Sequence, residues 1–207
     1  MHIIVTAGPT HEPIDPVRYI ANRSSGKQGF AIAGALAAKG ARVTLIAGPV
    51  TLETPTGVTR IDVQTARDMA AAVEAALPAD AAIMVAAVAD WRVEEASQKI
   101  KKDGSGVMPT LTLVENPDIL ATLCRNPKRP RVVVGFAAET ENVLANAKAK
   151  LARKGCDWIV ANDVSGDVMG GEANTVHIVT ADGVERWERM AKGDVAERLA
   201  ERVMERI

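Results

Sequence analysis

Short apolar runs alternate with helical patterns along all 207 residues, and this alternation limits the fold more than any other feature of the sequence. Strand-like runs occupy 3–7, 42–47, 58–63, 80–89, 110–114, 131–136 and 158–161, and helical patterns occupy 26–39, 65–77, 139–154 and 194–206. Such alternation is typical of βαβ units around a parallel sheet. The sequence therefore predicts a Rossmann-like, doubly wound α/β fold, with a mainly parallel sheet and helices on both of its faces.

Some segments refine this predicted architecture. The run at 80–89 is the most continuously apolar, which predicts a central strand buried on both faces. Residues 175–180 and 184–187 flank Asp182-Gly183, which predicts a C-terminal antiparallel hairpin. Thr65 suits the N-cap of one helix and Pro117 the first turn of another. Because the sequence has no repeat, low-complexity tract or linker, we expect one domain over 1–207.

The composition excludes several classes of protein. The net charge of −1 gives no reason to expect nucleic acid or an acidic membrane as partner, and no apolar run reaches the ~20 residues of a membrane span. The two cysteines, Cys124 and Cys156, lie outside any CxxC motif, so we expect free buried thiols in a reducing cytosol. With a strand predicted from residue 3 and no signal peptide, a cytoplasmic protein is expected.

The connection between the first strand and the first helix is unusually long and polar. Residues 6–30 read TAGPTHEPIDPVRYIANRSSGKQGF and include three prolines, two arginines and the helix entry Ser24-Ser25-Gly26-Lys27. Hydroxyls and backbone N–H groups at a helix N-terminus bind anions, although Ser24 or Ser25 could equally serve as an ordinary N-cap. The segment suits a phosphorylated, anionic substrate.

Two common nucleotide-binding motifs are absent from this connection. A P-loop needs Gly five residues before its final Gly and Ser or Thr after its Lys, but those positions hold Ala21 and Gln28. The GxGxxG fingerprint of dinucleotide enzymes does not follow the first strand. The only tyrosine, Tyr19, is followed four residues later by Arg23, so a Tyr-x-x-x-Lys pair is missing as well. The fold class alone therefore does not predict an oxidoreductase.

Polar residues follow several predicted strands. Ligands bind at the carboxyl ends of strands in an open α/β sheet, so the turn at Gly8, Asp90 and residues 136–140 should converge on one crevice. Asn22 can donate to a carbonyl or phosphate oxygen, or simply form a turn. Arg18 offers a planar fork for phosphate or carboxylate.

Lysines occur in two places where a polyphosphate could use them. Lys99 lies in a predicted mobile loop at 90–106 that could close over a triphosphate, although lysine-rich stretches are often only solvated surface. Lys150 and Lys154 share one helix face, which suits either a bound polyphosphate or plain solvent.

Six segments, in chain order, carry a family resemblance: TAGPTHEPIDPVRYIANRSSGKQGFAIA, AAVADWR, KIKK, ENPDIL, GFAAET and ANDVS. Together they resemble phosphopantothenoylcysteine synthetases of the bacterial, CTP-using type. The resemblance implies a ligase of coenzyme A biosynthesis that joins 4′-phosphopantothenate to L-cysteine through an acyl cytidylate. CTP would become CMP and pyrophosphate, with Mg²⁺ as cofactor. The resemblance also implies a homodimer and fusion to a flavin-dependent decarboxylase, from which this chain would be excised unless it is free-standing.

The resemblance assigns roles to residues of this sequence. Asn22, Lys99 and Arg18 would be catalytic, and Arg18, Asn22 and Ala87 would contact the acyl substrate. The nucleotide would be bound by Met84, Val85, Ala86, Asp90, Lys99, Pro117, Asp118, Ile119, Leu120, Phe136, Lys150 and Lys154. The metal ligands stay open, as does the choice between CTP and ATP.

Two other functions compete with the ligase. A nucleotide-binding regulatory module could keep the fold without catalysis, although binding alone would not need Asn22 together with Arg18. A dinucleotide-dependent reductase is disfavoured by the missing fingerprint. For the homodimer, the hairpin near 175–187 is the expected interface.

Overall fold

The computed structural model describes residues 1–102, 104, 110–163 and 173–207, with eight strands in one sheet and two small two-stranded sheets beside it. The main sheet comprises β1 (His2–Ala7), β4 (Arg42–Ala47), β5 (Val58–Asp62), β6 (Ala81–Met84), β9 (Val132–Glu139), β10 (Trp158–Asp163), β11 (Ala173–Thr180) and β12 (Gly183–Ala191). The small sheets pair β2 (His11–Asp15) with β3 (Arg18–Ala21), and β7 (Trp91–Arg92) with β8 (Val114–Glu115). The helices are α1 (Lys27–Ala38), α2 (Ala66–Ala75), α3 (Ile119–Cys124), α4 (Val143–Lys154) and α5 (Lys192–Arg206).

The strand order confirms the doubly wound fold. The main sheet runs β12-β11-β10-β9-β6-β1-β4-β5, in which the six strands from β10 to β5 are parallel and β11 pairs antiparallel with both β10 and β12. The chain builds outward from β1 through β4 to β5, and then crosses back to β6 on the other side of β1. The topological switch point, where ligands bind in such sheets, therefore lies between β1 and β6.

Two hydrophobic cores lie on opposite faces of the sheet. Ile3 and Val5 of β1 pack with α1 and α5 on one face, whereas Ile4 packs with α2, α3 and α4 on the other. This follows from the period of two in a strand, which sends successive side chains to opposite faces. As predicted, β6 lies in the middle of the sheet and is fully buried. Within the described residues, no helix is both long and apolar enough to cross a bilayer.

The helix starts confirm one capping prediction and correct another. Thr65 caps α2 in a capping box with Asp68, as expected. The N-cap of α1 is Gly26, with a φ of 74°, so neither Ser24 nor Ser25 occupies that position. Instead, the Ser24 hydroxyl accepts a 3.4 Å hydrogen bond from the Gly26 N–H. Gly26 is suited to the position because a left-handed φ is strained for other residues.

Several predicted strands differ in extent. The run at 80–89 leaves the sheet after Met84 and follows the chain beyond β1, where the Ala87 N–H donates to the Gly8 carbonyl at 2.9 Å. The predicted strand at 110–114 forms a strand only at 114–115. The polar connection contains β2 and β3, which were not predicted, and the C-terminal hairpin is longer than expected and turns at 181–182.

The start of α1 packs directly against β1. A Cβ added at Gly29 would lie 2.5 Å from the Cβ of Ala7, far inside van der Waals contact. Ala7 is fully buried at the carboxyl end of β1, so its Cβ cannot move aside without moving the sheet. Gly29 therefore sets how closely the helix N-terminus approaches the end of the strand.

We predict that Gly29→Ala destabilises the protein by about 1–3 kcal/mol, because overpacking outweighs the gain in helix propensity. Gly193→Ala in α5 is the matched control, since a Cβ there meets nothing within 4 Å. It should be neutral or stabilising by up to about 1 kcal/mol. Urea denaturation measures both variants, and equal stability of the two would contradict the close contact.

Candidate functional site

A cavity of about 720 Å³ opens at the carboxyl edge of the sheet, above the switch point. Its volume falls within the roughly 300–1,000 Å³ of small-molecule sites. The ends of β1, β6, β9 and β10 form its floor, and the N-terminus of α1, the segment after β6, the start of α3 and one face of α4 form its walls. The convergence of strand ends that the sequence predicts is therefore present.

One wall is the N-terminus of α1. Ser24, Ser25, Gly26 and Gln28 line the cavity there, beside Gly8 at the end of β1. Helix N-termini carry partial positive charge and present backbone N–H groups, so this wall suits an anion. The Gln28 amide nitrogen donates to the Lys192 carbonyl at 3.1 Å, while its buried oxygen has no hydrogen-bond partner among the described residues.

Asn22 lies on the same wall, just after β3. Its side-chain nitrogen donates to the carbonyls of Ala87 and Val88 at 3.3 and 3.0 Å. Both partners are acceptors, which settles that the NH₂ group faces them and the amide oxygen faces away. Asn22 thus connects the β2–β3 ribbon to the segment after β6.

The opposite wall is cationic. Lys150, Arg153 and Lys154 of α4 line the cavity, and the Lys150 ammonium donates to the Phe136 carbonyl at 2.7 Å. Burial, together with the charge of nearby Lys154, lowers the pKa of Lys150 from its ordinary value. A buried ammonium with few countercharges gains from an incoming anion. This wall therefore suits a polyphosphate.

Carboxylates stand between the two walls. Asp90, Glu115 and Asp118 line the cavity. Asp118 caps α3 through a 3.0 Å bond from the Ala121 N–H and forms an ion pair with Lys154. Partial burial works against ionisation of Asp118, but these bonds outweigh it and lower its pKa.

The carboxylates of the cavity determine how a metal ion could be bound there. In the described part of the chain, no cluster of three or more His, Cys, Asp or Glu residues could form a metal cage. Mg²⁺ characteristically needs only one or two carboxylates when substrate phosphates supply the other ligands. Asp90 and Glu115 on the cavity wall fit that mode of binding.

The structure brings most of the predicted site residues together. The cavity is lined by Asn22, Met84, Val85, Ala86, Ala87, Asp90, Pro117, Asp118, Ile119, Leu120, Phe136, Lys150 and Lys154. Two predicted residues lie outside this lining. Arg18 pairs with Asp15 and donates to the Ile100 carbonyl, and Lys99 is an exposed residue next to Ile100.

Sequence reasoning missed several lining residues. Gln28, Asn116, Arg153 and Lys192 are polar members of the cavity wall that were not predicted. Asn116 fixes the segment after β6, since its amide donates to the Ala89 carbonyl at 2.9 Å. The amide lies in the ENPDIL segment next to Pro117, so its position after a strand was a usable signal. Lys192 carried no such signal, because it comes from the far end of the chain.

Comparisons with known proteins agree with this geometry. The family model described as DNA/pantothenate metabolism flavoprotein C-terminal domain matches residues 1–207. The coenzyme A biosynthesis bifunctional protein CoaBC of Haemophilus influenzae is 47% identical over 100% of this chain and 52% of its own length. The Escherichia coli K12 protein of that name is 50% identical over 88% of this chain and 46% of its own length. The chain thus spans about half the length of these curated relatives.

Solved structures show the same fold. A crystal structure of the C-terminal domain of CoaBC superposes with a TM-score of 0.82 at 37% identity, covering 98% of this chain and 93% of that one. The DNA/pantothenate metabolism flavoprotein from Streptococcus pneumoniae superposes with a TM-score of 0.85 at 22% identity, covering 99% of each chain, which shows the fold alone. On the family match over every residue and the identity to these relatives, the chain belongs to the DNA/pantothenate metabolism flavoprotein C-terminal domain family.

Proposed function

We propose that this chain is a phosphopantothenate–cysteine ligase of coenzyme A biosynthesis, which joins 4′-phosphopantothenate to L-cysteine at the expense of CTP. One observation carries the proposal: a single cavity joins an anion-binding helix terminus, Asn22 and a cationic wall. Two anionic substrates have to meet there, and each wall suits one of them. The resemblance of the motifs and the CoaBC relatives support the same activity.

In the first half-reaction, the carboxylate of phosphopantothenate attacks the α-phosphorus of CTP, and pyrophosphate leaves. Lys150 and Lys154 would offset charge on the triphosphate, and Met84–Ala86 and Asp90 would contact the base and ribose. Mg²⁺, held by the phosphates with Asp90 or Glu115, would further offset charge on the leaving pyrophosphate. Lys99, which lies outside the cavity lining, would have to approach the triphosphate from the segment 96–100.

In the second half-reaction, the amine of cysteine attacks the acyl cytidylate, CMP leaves and an amide forms. Asn22 is placed to act on this step, because it holds the backbone of Ala87 and Val88 at the cavity wall. As an oxyanion donor, its NH₂ group would exchange the longer contact, to the Ala87 carbonyl, for the reacting oxygen. The phosphate of phosphopantothenate would lie at the N-terminus of α1.

The test of both function and role is Asn22→Asp. An Asp cannot donate to the Ala87 and Val88 carbonyls and adds negative charge beside an anionic intermediate. With wild-type protein, CTP, phosphopantothenate and cysteine should give CMP and pyrophosphate. The variant should release pyrophosphate but form amide product more slowly by about a hundredfold or more.

Three results would count against the proposal. Loss of pyrophosphate release in folded Asn22→Asp would contradict its assignment to the second step. No CMP from the wild-type chain, despite nucleotide binding, would favour the regulatory module, whereas turnover of NADPH would favour the reductase. Replacing CTP with ATP in the same assay tests nucleotide choice.

Lys150 tests the cationic wall. We predict that Lys150→Met weakens CTP binding about 10- to 100-fold, since a charge-assisted bond to phosphate is lost while the aliphatic stem is kept. Lys148→Met, which removes an exposed lysine outside the cavity on the same helix, is the control and should change affinity little. Isothermal titration calorimetry measures both affinities.

The lowered pKa of Lys150 predicts a pH dependence of the same affinity. The ammonium attracts phosphate and the neutral amine does not, so CTP affinity should fall as pH rises through the pKa of Lys150. Because burial lowers that pKa, the decline should begin at a lower pH than for an exposed lysine. Equal affinity of Lys150→Met and wild type at neutral pH would contradict the role.

We also propose that the chain functions as a homodimer, joined in the full-length cytoplasmic protein to a flavin-dependent decarboxylase domain. The hairpin expected as interface buries its apolar face under α5, where Trp187 is 1% exposed. Among the described residues, the hairpin exposes the large apolar side chain of Val184, whereas six such side chains are exposed on the β2–β3 and β7–β8 ribbons and the segment leading to β8: Val17, Tyr19, Trp91, Leu111, Leu113 and Val114. This surface lies beside the cavity and is the better candidate interface.

Sedimentation equilibrium distinguishes the two surfaces. Leu113→Arg should shift the dimer towards monomer, because a buried unpaired charge is costly at an interface. Val184→Arg on β12, where the side chain is 39% exposed, should leave the dimer intact. The reverse pattern would restore the hairpin as interface, and a monomeric wild type with full activity would contradict the dimer.

A further inference from the structure

Asp15, which neither the sequence nor the comparisons single out, is a buried carboxylate at the tip of the β2–β3 ribbon. Its side chain has no exposed surface. One oxygen accepts from the N–H groups of Val17 and Arg18 at 2.9 and 3.0 Å. The other accepts from the guanidinium of Arg18 and from the N–H of Ile100 at 3.1 Å.

Asp15 bonds both to Arg18 and to Ile100, and Arg18 and Ile100 also bond to each other although they are far apart in the sequence. Arg18 donates to the Ile100 carbonyl at 2.9 Å, so both backbone groups of Ile100 are held, one by Asp15 and one by Arg18. A second tether, from the Ala96 N–H to the Ile14 carbonyl at 2.9 Å, lies four residues earlier. The segment 96–100 is thus fixed along the ribbon at two points.

The ribbon is itself held at its base. Glu12 is 1% exposed and accepts from the Ala66 N–H at 2.9 Å, at the start of α2, and the His11 N–H donates to the Gln64 carbonyl at 2.8 Å. At its other end, the ribbon leads into Asn22, which contacts the cavity wall. A displacement at Asp15 is therefore transmitted to the lysines on either side of Ile100 rather than absorbed by a loose ribbon.

Charge makes this connection specific. The hydrogen bond from the Arg18 guanidinium holds the pKa of the Asp15 carboxyl well below its usual range, so the group is ionised at neutral pH. Charge-assisted bonds of this kind are stronger and more directional than neutral ones. An amide in place of the carboxylate would bring one of its N–H donors against the N–H donors of Arg18 or Ile100.

We propose that Asp15 is a positioning residue: with Arg18 and the backbone of Ile100 it forms a latch that sets where Lys99 and Lys101 lie along the β2–β3 ribbon. Arg18 then acts on the reaction through the lysine segment, in addition to any contact with substrate in a dimer. The effect on catalysis rests on the proposed ligase function. The latch itself does not, and it can be tested without any substrate.

The first experiment is limited trypsin digestion of Asp15→Asn. The Lys99–Ile100 bond can enter the protease only after the Ile100 N–H leaves Asp15, so its initial cleavage should quicken by about tenfold or more in the variant. Asp62→Asn, which breaks the exposed Arg60–Asp62 ion pair, is the matched control and should be cut at the wild-type rate. Mass spectrometry locates the cut, and thermal unfolding verifies that both variants are folded.

A second measurement needs no variant. In the wild-type protein, hydrogen exchange followed by NMR should show the Ile100 and Ala96 amides protected relative to an unstructured peptide. Unprotected amides at both positions, or wild-type cleavage in folded Asp15→Asn, would overturn the proposal. If Asp15→Asn fails to fold, the exchange result alone decides the matter.

The effect of the latch on catalysis is measured from the rates of the two half-reactions. In Asp15→Asn, pyrophosphate release should slow and the KM for CTP should rise, while an acyl cytidylate once formed should react with cysteine at the wild-type rate. Lys99→Gln is the comparison variant, and it should show the same changes to a larger extent. A purely structural lesion would slow both halves in proportion to the folded fraction. If the wild-type chain makes no CMP, the proposed function fails, and the proteolysis and exchange results still test the latch.

Discussion

The close approach of three backbone segments at the carboxyl end of β1 is the constraint on which the site depends. A Cβ at Gly48 would lie 1.6 Å from the Pro9 carbonyl oxygen, and the Gly48 N–H donates to the Ala7 carbonyl at 2.9 Å. Gly8 turns the chain with a φ of 76°, and Gly26 starts α1 with a φ of 74°. Because glycines occupy these positions, the segments approach closely, and the N-terminus of α1 lies against the end of β1, where it suits an anion.

The charge distribution follows from which elements meet across that switch point. The first half of the chain contributes the positive end of a helix, and α4 in the second half contributes lysines. The ion pair between Lys154 and Asp118 ties α4 to the start of α3, while burial of Lys150 in the cavity wall lowers the pKa of its ammonium. The net charge of the chain is −1, so the attraction for phosphate is local to this edge of the sheet.

The sequence predicted the fold correctly wherever hydrophobic periodicity marked the helices and strands. The parallel strands, the central position of β6 and the capping by Thr65 were predictable because burial and local hydrogen bonding impose a visible pattern. The β2–β3 ribbon was not predictable in this way. It contains two prolines and few apolar alternations, and it is held by Glu12 and Asp15 through contacts with residues 54 and 85 positions away. The convergence of strand ends predicted the cavity. The position of Arg18 is set by its contact with the distant Ile100, and the sequence did not predict that contact.

The place of β1 in the sheet has a consequence for how the protein is made. β1 is an interior strand that precedes both of its partners, β4 and β6, in the chain, so one of its edges remains unpaired until about residue 84 has been synthesised. One of its faces packs against α1, and α1 in turn packs against α5, which lies much later in the chain. Pairings so distant in sequence form slowly and leave apolar surface exposed in the meantime. The core on that face is therefore completed only after α5 has been synthesised, and a nascent chain halted before α5 would expose the side of α1 that α5 covers to chaperones.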